Sequence, residues 1–158
     1  MSLDEFLNNP GSTTKVFQNL ATSSQIEVLW NGFINDSLFQ RIVLIKLDNI
    51  PVMIAISEAD IFSPLFLDIL KNSGTVPIGV RLFDSSAKIS RSKMSFEEIH
   101  IDDIVNHIVQ HELKQRVDEN IFIERNSNFN YDTQKMQLKE YILPGLVNLL
   151  DKALHLNE

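Results

Sequence analysis

The chain has no cysteine. That excludes a disulfide framework, a thiolate nucleophile and a thiolate metal site. Basic residues are scarce: 14 Lys and Arg stand against 21 Asp and Glu, giving a net charge of −7 and a pI near 5.0. This balance argues against a nucleic-acid partner, whose surface normally demands a basic stripe. It leaves room for a small anionic ligand, because one local arginine outweighs a diffuse negative field at short range. No run approaches about 18 apolar residues, so no membrane span is expected. The acidic opening MSLDEFLNNP lacks the basic, then apolar, pattern of a secretory leader, and a cytoplasmic location is the default. Repeats and low-complexity tracts are also missing. What is present is an ordinary globular composition, 44% hydrophobic and 22% charged over 158 residues. That is enough for one domain over residues 1–158 with a real core, as a monomer or dimer.

The centre of the pattern is residues 39–61, FQRIVLIKLDNIPVMIAISEADI. Two β-branched arms flank Asp48-Asn49, which is turn chemistry, so this reads as a β-hairpin. The arms are apolar at nearly every position, which predicts that both faces are covered. One arm nevertheless opens with Arg41. A buried strand seldom carries a charge without a partner, which makes Arg41 the first candidate functional residue.

Around this hairpin the chain alternates short helices and strands. Ser2 and Glu5 form a capping box for a short helix over residues 2–9, ended by Pro10-Gly11. Ser12 and Thr13 cap a second helix from about Thr14 to Ala21, whose free N-terminal amides suit an anion. Residues 25–34 alternate as a half-buried strand, with Ile26, Val28 and Trp30 on one face. Pro64 opens another short helix, stopped at Asn72-Ser73-Gly74. Pro77-Ile78-Gly79 reads as an apolar turn, with Gly79 where a ligand or another backbone comes close. Residues 95–118 have roughly helical spacing from Phe96 and Ile99 through Leu113, and read as one helix or two. Within it His107 and His111 lie one turn apart. They lack a third ligand and the HExxH order, so no metal is expected. A strand is expected around Ile121–Ile123, a polar strand or loop after it, a turn at Asp132-Thr133, then a last strand over Met136–Leu143. There Glu140 shares a face with Met136 and Leu138. If that face is the core, Glu140 is a buried carboxylate in need of a partner. An amphipathic helix closes the chain after Pro144-Gly145.

Four of these places, in this order, resemble the chorismate lyase family. Gly11-Ser12-Thr13-Thr14-Lys15-Val16-Phe17 answers that family's D-S-x-T-x-x-F. Arg41-Ile42-Val43-Leu44-Ile45 followed by Asn49-Ile50-Pro51-Val52 answers R-E-[IVL]-L-L and G-x-P-W. Pro77-Ile78-Gly79-Val80-Arg81-Leu82-Phe83 answers P-L-G-x-x-L-F, and Lys139-Glu140-Tyr141-Ile142-Leu143-Pro144 answers T-E-x-F-L-P. The likeness covers roughly residues 8–145. Departures stand at Gly11, where the family has Asp, and at Ala55 and Ile56, where it has Gly and Arg.

The resemblance implies an α+β fold: a single antiparallel β-sheet with helices packed on one side, enclosing a small ligand cavity. It implies a lyase that eliminates pyruvate from chorismate to leave 4-hydroxybenzoate, without a cofactor. On this reading Arg41 and Glu140 are catalytic, holding the ring carboxylate and the ring hydroxyl. Thr13 and Ile78 assist the carboxylate through their amides, with Ser12 and Gly79 beside them. No metal is implied. The same fold serves as the effector-binding half of some transcription regulators, which gives the alternative: a non-catalytic domain that binds a small aromatic acid. A third reading makes Arg41 and Glu140 a structural buried pair.

Overall fold

The structure is a computed structural model and describes residues 1–83 and 88–156. In chain order the elements are α1 (Leu3–Leu7), α2 (Thr13–Leu20), β1 (Ser24–Phe33), β2 (Leu38–Leu47), β3 (Ile50–Asp60), α3 (Pro64–Asn72) and α4 (Ile78–Phe83). There follow β4 (Ser90–Arg91), β5 (Ser95–His100), a 3-10 turn (Ile101–Asp103), α5 (His107–Arg116), β6 (Ile121–Tyr131), β7 (Gln134–Ile142) and α6 (Pro144–Leu156). All seven strands join one antiparallel sheet in the order β1-β2-β3-β7-β6-β4, with β5 also on the outer edge of β6.

The central hairpin forms as its chemistry dictates. Asp48 and Asn49 both take positive φ, 49° and 68°, in the tight turn between β2 and β3. Asp and Asn tolerate that conformation better than other residues with a side chain. Asp48 also accepts hydrogen bonds from the Ser23 amide at 2.8 Å and the Thr22 amide at 3.3 Å, tying the turn to the start of β1.

The doubly apolar arms are explained by cover on both faces. Ile42, Leu44, Ile54 and Ile56 pack under Val109 and Leu113 of α5. The opposite face carries the main helical layer. There Phe66, Ile69 and Leu70 of α3 and Leu82 of α4 meet Val43, Ala55 and Leu138. Phe6, Phe17, Leu146 and Leu150 of α1, α2 and α6 meet Met53 and Ile142. This second face holds Arg41 and Glu140. Along it run cross-strand rows: Val43, Ala55, Glu140 and Arg125 in one, and Arg41, Ser57, Leu138 and Ser127 in the next.

Several local expectations are corrected. Residues 95–100 are a strand rather than helix, paired with Ile121–Asn126. Phe96 and Ile99 mimic helical spacing, but β6 offers an open edge, and tertiary pairing overrides so short a pattern. The Pro77-Ile78-Gly79 turn is the entry to helix α4, with Pro77 just before its first turn. Of the two alternatives for residues 124–131, polar strand or loop, the strand forms, with Arg125, Ser127 and Phe129 buried. In β1 a bulge between Val28 and Trp30 breaks the expected alternation. Leu29 turns toward the α5 side, while Val28 and Trp30 are 38% and 37% exposed.

Candidate functional site

Between the sheet and the helices lies a cavity of about 80 Å³, several times the roughly 10–15 Å³ that one water requires. Its floor is Arg41, Val43 and Ile45 of β2, Met53, Ala55 and Ser57 of β3, and Leu138 and Glu140 of β7. Its roof is Thr13, Thr14 and Phe17 of α2 together with Pro77, Ile78, Gly79 and Leu82 around α4, and Arg91 of β4 reaches in from the far edge. The two parts of the roof fit closely: a Cβ added to Gly79 would meet Thr14 Oγ1 at 3.0 Å and Ser12 Oγ at 3.5 Å. Here the absence of a side chain serves the approach of α4 to α2.

Arg41 is 2% exposed, and its Nη2 donates to the Val76 carbonyl at 3.3 Å. Its Nη1 is buried and has no acceptor among the described residues. Burial pushes the guanidinium pKa down from its ordinary value. That value is so high that the group stays charged at neutral pH. A buried cation with an unmatched donor, lining a cavity, is costly unless something else satisfies it.

Glu140 is equally buried but fully engaged. Arg125, directly opposite it on β6, grips it with both arms, Nε to Oε1 at 2.8 Å and Nη2 to Oε2 at 2.9 Å. Arg91 Nη2 adds a bond to Oε1 at 3.2 Å, and Thr13 Oγ1 lies 3.5 Å from Oε2. Arg125 extends the network to the Phe6 carbonyl at 2.7 Å and Thr13 Oγ1 at 3.0 Å, with its guanidinium over the Phe6 ring. Arg91 donates to Ser127 Oγ at 3.1 Å and the Gly11 carbonyl at 3.2 Å, and lies over Phe129. Burial pushes the Arg91 pKa down, while Glu140 opposes that shift.

The structure therefore brings Arg41, Glu140, Thr13, Ile78 and Gly79 to one cavity, with Ser12 just behind as the cap of α2, its hydroxyl accepting from the Lys15 amide at 3.4 Å. The amides of Thr13 and Thr14 lie in the first turn of α2, where no intrahelical acceptor exists. Arg91 and Arg125 were not among the sequence candidates. Arg125 carries a signal: Ile123, Arg125, Ser127 and Phe129 alternate onto one face of β6, the face that also needs a partner for Glu140. Arg91, in the polar stretch KISRSK, carries none. Ile56, where the resemblance puts an arginine, faces α5 on the other side of the sheet. His107 and His111 are exposed on α5, and among the described residues no group of three or more His, Asp or Glu could hold a metal. No described helix is long and apolar enough to cross a membrane.

No protein-family model matches the chain, and no curated protein matches it. Solved structures do. The C-terminal domain of the histidine utilization repressor from Pseudomonas syringae aligns with a TM-score of 0.54 at 11% identity, over 77% of this chain and 92% of that one. A gene product of Staphylococcus aureus aligns at 0.58 and 13%, over 86% and 90%. The ligand-binding domain of a Bordetella bronchiseptica protein assigned to the GntR-family transcriptional regulators aligns more loosely, at 0.49 and 9%, over 78% and 87%. At these identities the likeness is one of fold, and the fold is the chorismate lyase-like one. The expectation of a lyase is corrected by these findings. The fold likeness runs to a repressor's C-terminal domain. The site has a physical reason to agree: the carboxylate expected to meet a ring hydroxyl already holds two arginines.

Proposed function

We propose that residues 1–158 act as a binding domain for a small organic acid and carry out no chemistry on it. The observation that carries this reading is Arg41 Nη1, a buried, charged donor without an acceptor among the described residues, on the wall of a small cavity. A carboxylate would accept from the planar fork of Arg41, a geometry lysine cannot reproduce. The amides of Thr13 and Ile78 would assist, with Ser12 and Gly79 shaping the contact between α2 and α4. The apolar wall from Val43, Ala55, Leu82 and Leu138 suits a flat or aliphatic body, as in an aromatic acid. Glu140 has a different part from the one its motif implies: it positions Arg91 and Arg125. The resemblance in fold to a repressor's C-terminal domain supports a sensing role.

The test is titration calorimetry with simple aromatic acids, 4-hydroxybenzoate first. Binding at micromolar to millimolar concentration, lost in Arg41→Met, is the expected result. Equal binding by the wild type and Arg41→Met would sink the reading.

A further inference from the structure

We infer that the ligand of this cavity is a dianion, a compact molecule with one acidic group at Arg41 and a second at Arg91. This rests on the binding-domain reading and narrows its ligand class. The reason is charge. Arg41, Arg91 and Arg125 all lie in or against the cavity wall, and among the described residues Glu140 is the one acid lining it. Arg125 is neutralised by its two-armed grip on Glu140. Arg91 shares the same carboxylate through a single, longer contact. Among the described residues two positive charges are thus left over in a low-dielectric space, inside a chain whose net charge is −7. A monoanion would cancel one of them.

Hydrogen bonding points the same way. A guanidinium has five N–H donors. Arg91 commits one nitrogen each to Ser127, Gly11 and Glu140, and Arg41 commits Nη2 alone, to Val76. Both retain donors for a ligand. Glu140 has both oxygens occupied, so among the described residues an ammonium group finds no free carboxylate in the wall. The site therefore disfavours zwitterions as well as cations.

The spacing fits one small scaffold. Arg91 is drawn in to Glu140 on β7, while Arg41 stands on β2, with β3 between them. Two strand spacings span roughly 10 Å, close to one ring or short chain with an acid at each end and a hydrogen bond to each.

Calorimetry on the full chain with matched pairs tests this. Benzoate is compared with benzene-1,4-dicarboxylate, and butanoate with butanedioate. Glycerol phosphate, whose two charges sit on one group, and glutamate, which bears an ammonium, serve as controls. At least one dicarboxylate is expected to bind about tenfold or more tightly than the monoanions, as one further charged hydrogen bond implies. Glutamate is expected to bind more weakly than butanedioate. In Arg91→Gln the ratio of dianion to monoanion affinity falls toward one. Should that variant not fold, the wild-type ratio decides alone. Monoanions, or glycerol phosphate, binding as tightly as both dicarboxylates would overturn the inference and leave the binding-domain reading standing. An equal loss of both acids in a folded Arg91→Gln would also overturn it. Binding of none of these acids would remove the reading and the inference together.

Discussion

Arg41 is a residue whose burial makes little sense for stability. Among the described residues it has one hydrogen bond, to the Val76 carbonyl, and an unmatched donor on Nη1. Removing it should relieve a desolvation cost. We expect Arg41→Met to raise the stability of the unliganded protein by about 1–4 kcal/mol, the range seen when buried ionic groups give way to apolar ones. Binding should be lost at the same time. Urea melts with and without ligand check both halves, and a destabilised Arg41→Met would mean that the guanidinium is structural. Arg41→Lys keeps the charge without the fork, and about a tenfold or greater loss of affinity is expected for it. Glu140 is the opposite case. Glu140→Gln leaves Arg91 and Arg125 without their shared anion, at an expected cost of about 3–5 kcal/mol. Chemical denaturation measures it.

At the scale of elements, turns and close approaches decide. Gly74 ends α3 with φ at +54°, and an added Cβ would meet nothing within 4 Å. Gly74→Ala should therefore cost about 1–2 kcal/mol through backbone strain alone, and Gly74→Asn less, since asparagine tolerates that conformation. Gly145 at the start of α6 is different. A Cβ there would sit 2.3 Å from the Pro51 carbonyl oxygen, so alanine and asparagine should both destabilise, by about 1–3 kcal/mol. Thermal melts of the four variants separate the two mechanisms. The β2–β3 turn adds a pH effect. The Ser23 and Thr22 amides hold the Asp48 carboxyl below its usual range. A depressed carboxylate contributes stability above its unfolded pKa, about 3.9. That contribution is lost as pH falls through the lower folded value. Asp48→Asn should thus be less stable than wild type at pH 7, with the gap closing below about pH 3.9. A gap that persists at pH 2 would assign the effect to geometry instead of charge.

For the molecule as a whole, one network joins parts far apart in sequence. Through Arg125 and Arg91, the Phe6 carbonyl of α1, Thr13 of α2, the Gly11 linker and strands β4, β6 and β7 converge on Glu140. The roof over the cavity is thereby tied to its floor. A ligand that completes Arg41 should stabilise the whole fold, by about 2.7 kcal/mol at a hundredfold excess over Kd. The shift in melting temperature with acid concentration measures this, and an unmoved midpoint at saturation would separate binding from folding.

The sequence by itself determined whatever depends on neighbours along the chain. The capping box of Ser2 and Glu5, the Asp48-Asn49 turn, the Pro64 start and the two-sided apolar arms are local chemistry, and each stands where the residues placed it. The motifs around Thr13, Arg41, Ile78 and Glu140 were also legible, because strand alternation and helix starts aim side chains predictably. Tertiary structure alone decided the rest. Residues 95–100 became a strand because β6 had an edge to offer. The bulge at Leu29 set Trp30 opposite Ile42, off the face that Val28 shares with Val43. Glu140 acquired two arginines from β4 and β6, since a buried carboxylate takes the nearest cations that topology supplies, and cross-strand register is not written in any one segment. That pairing, more than any motif, occupies the carboxylate that the resemblance makes catalytic.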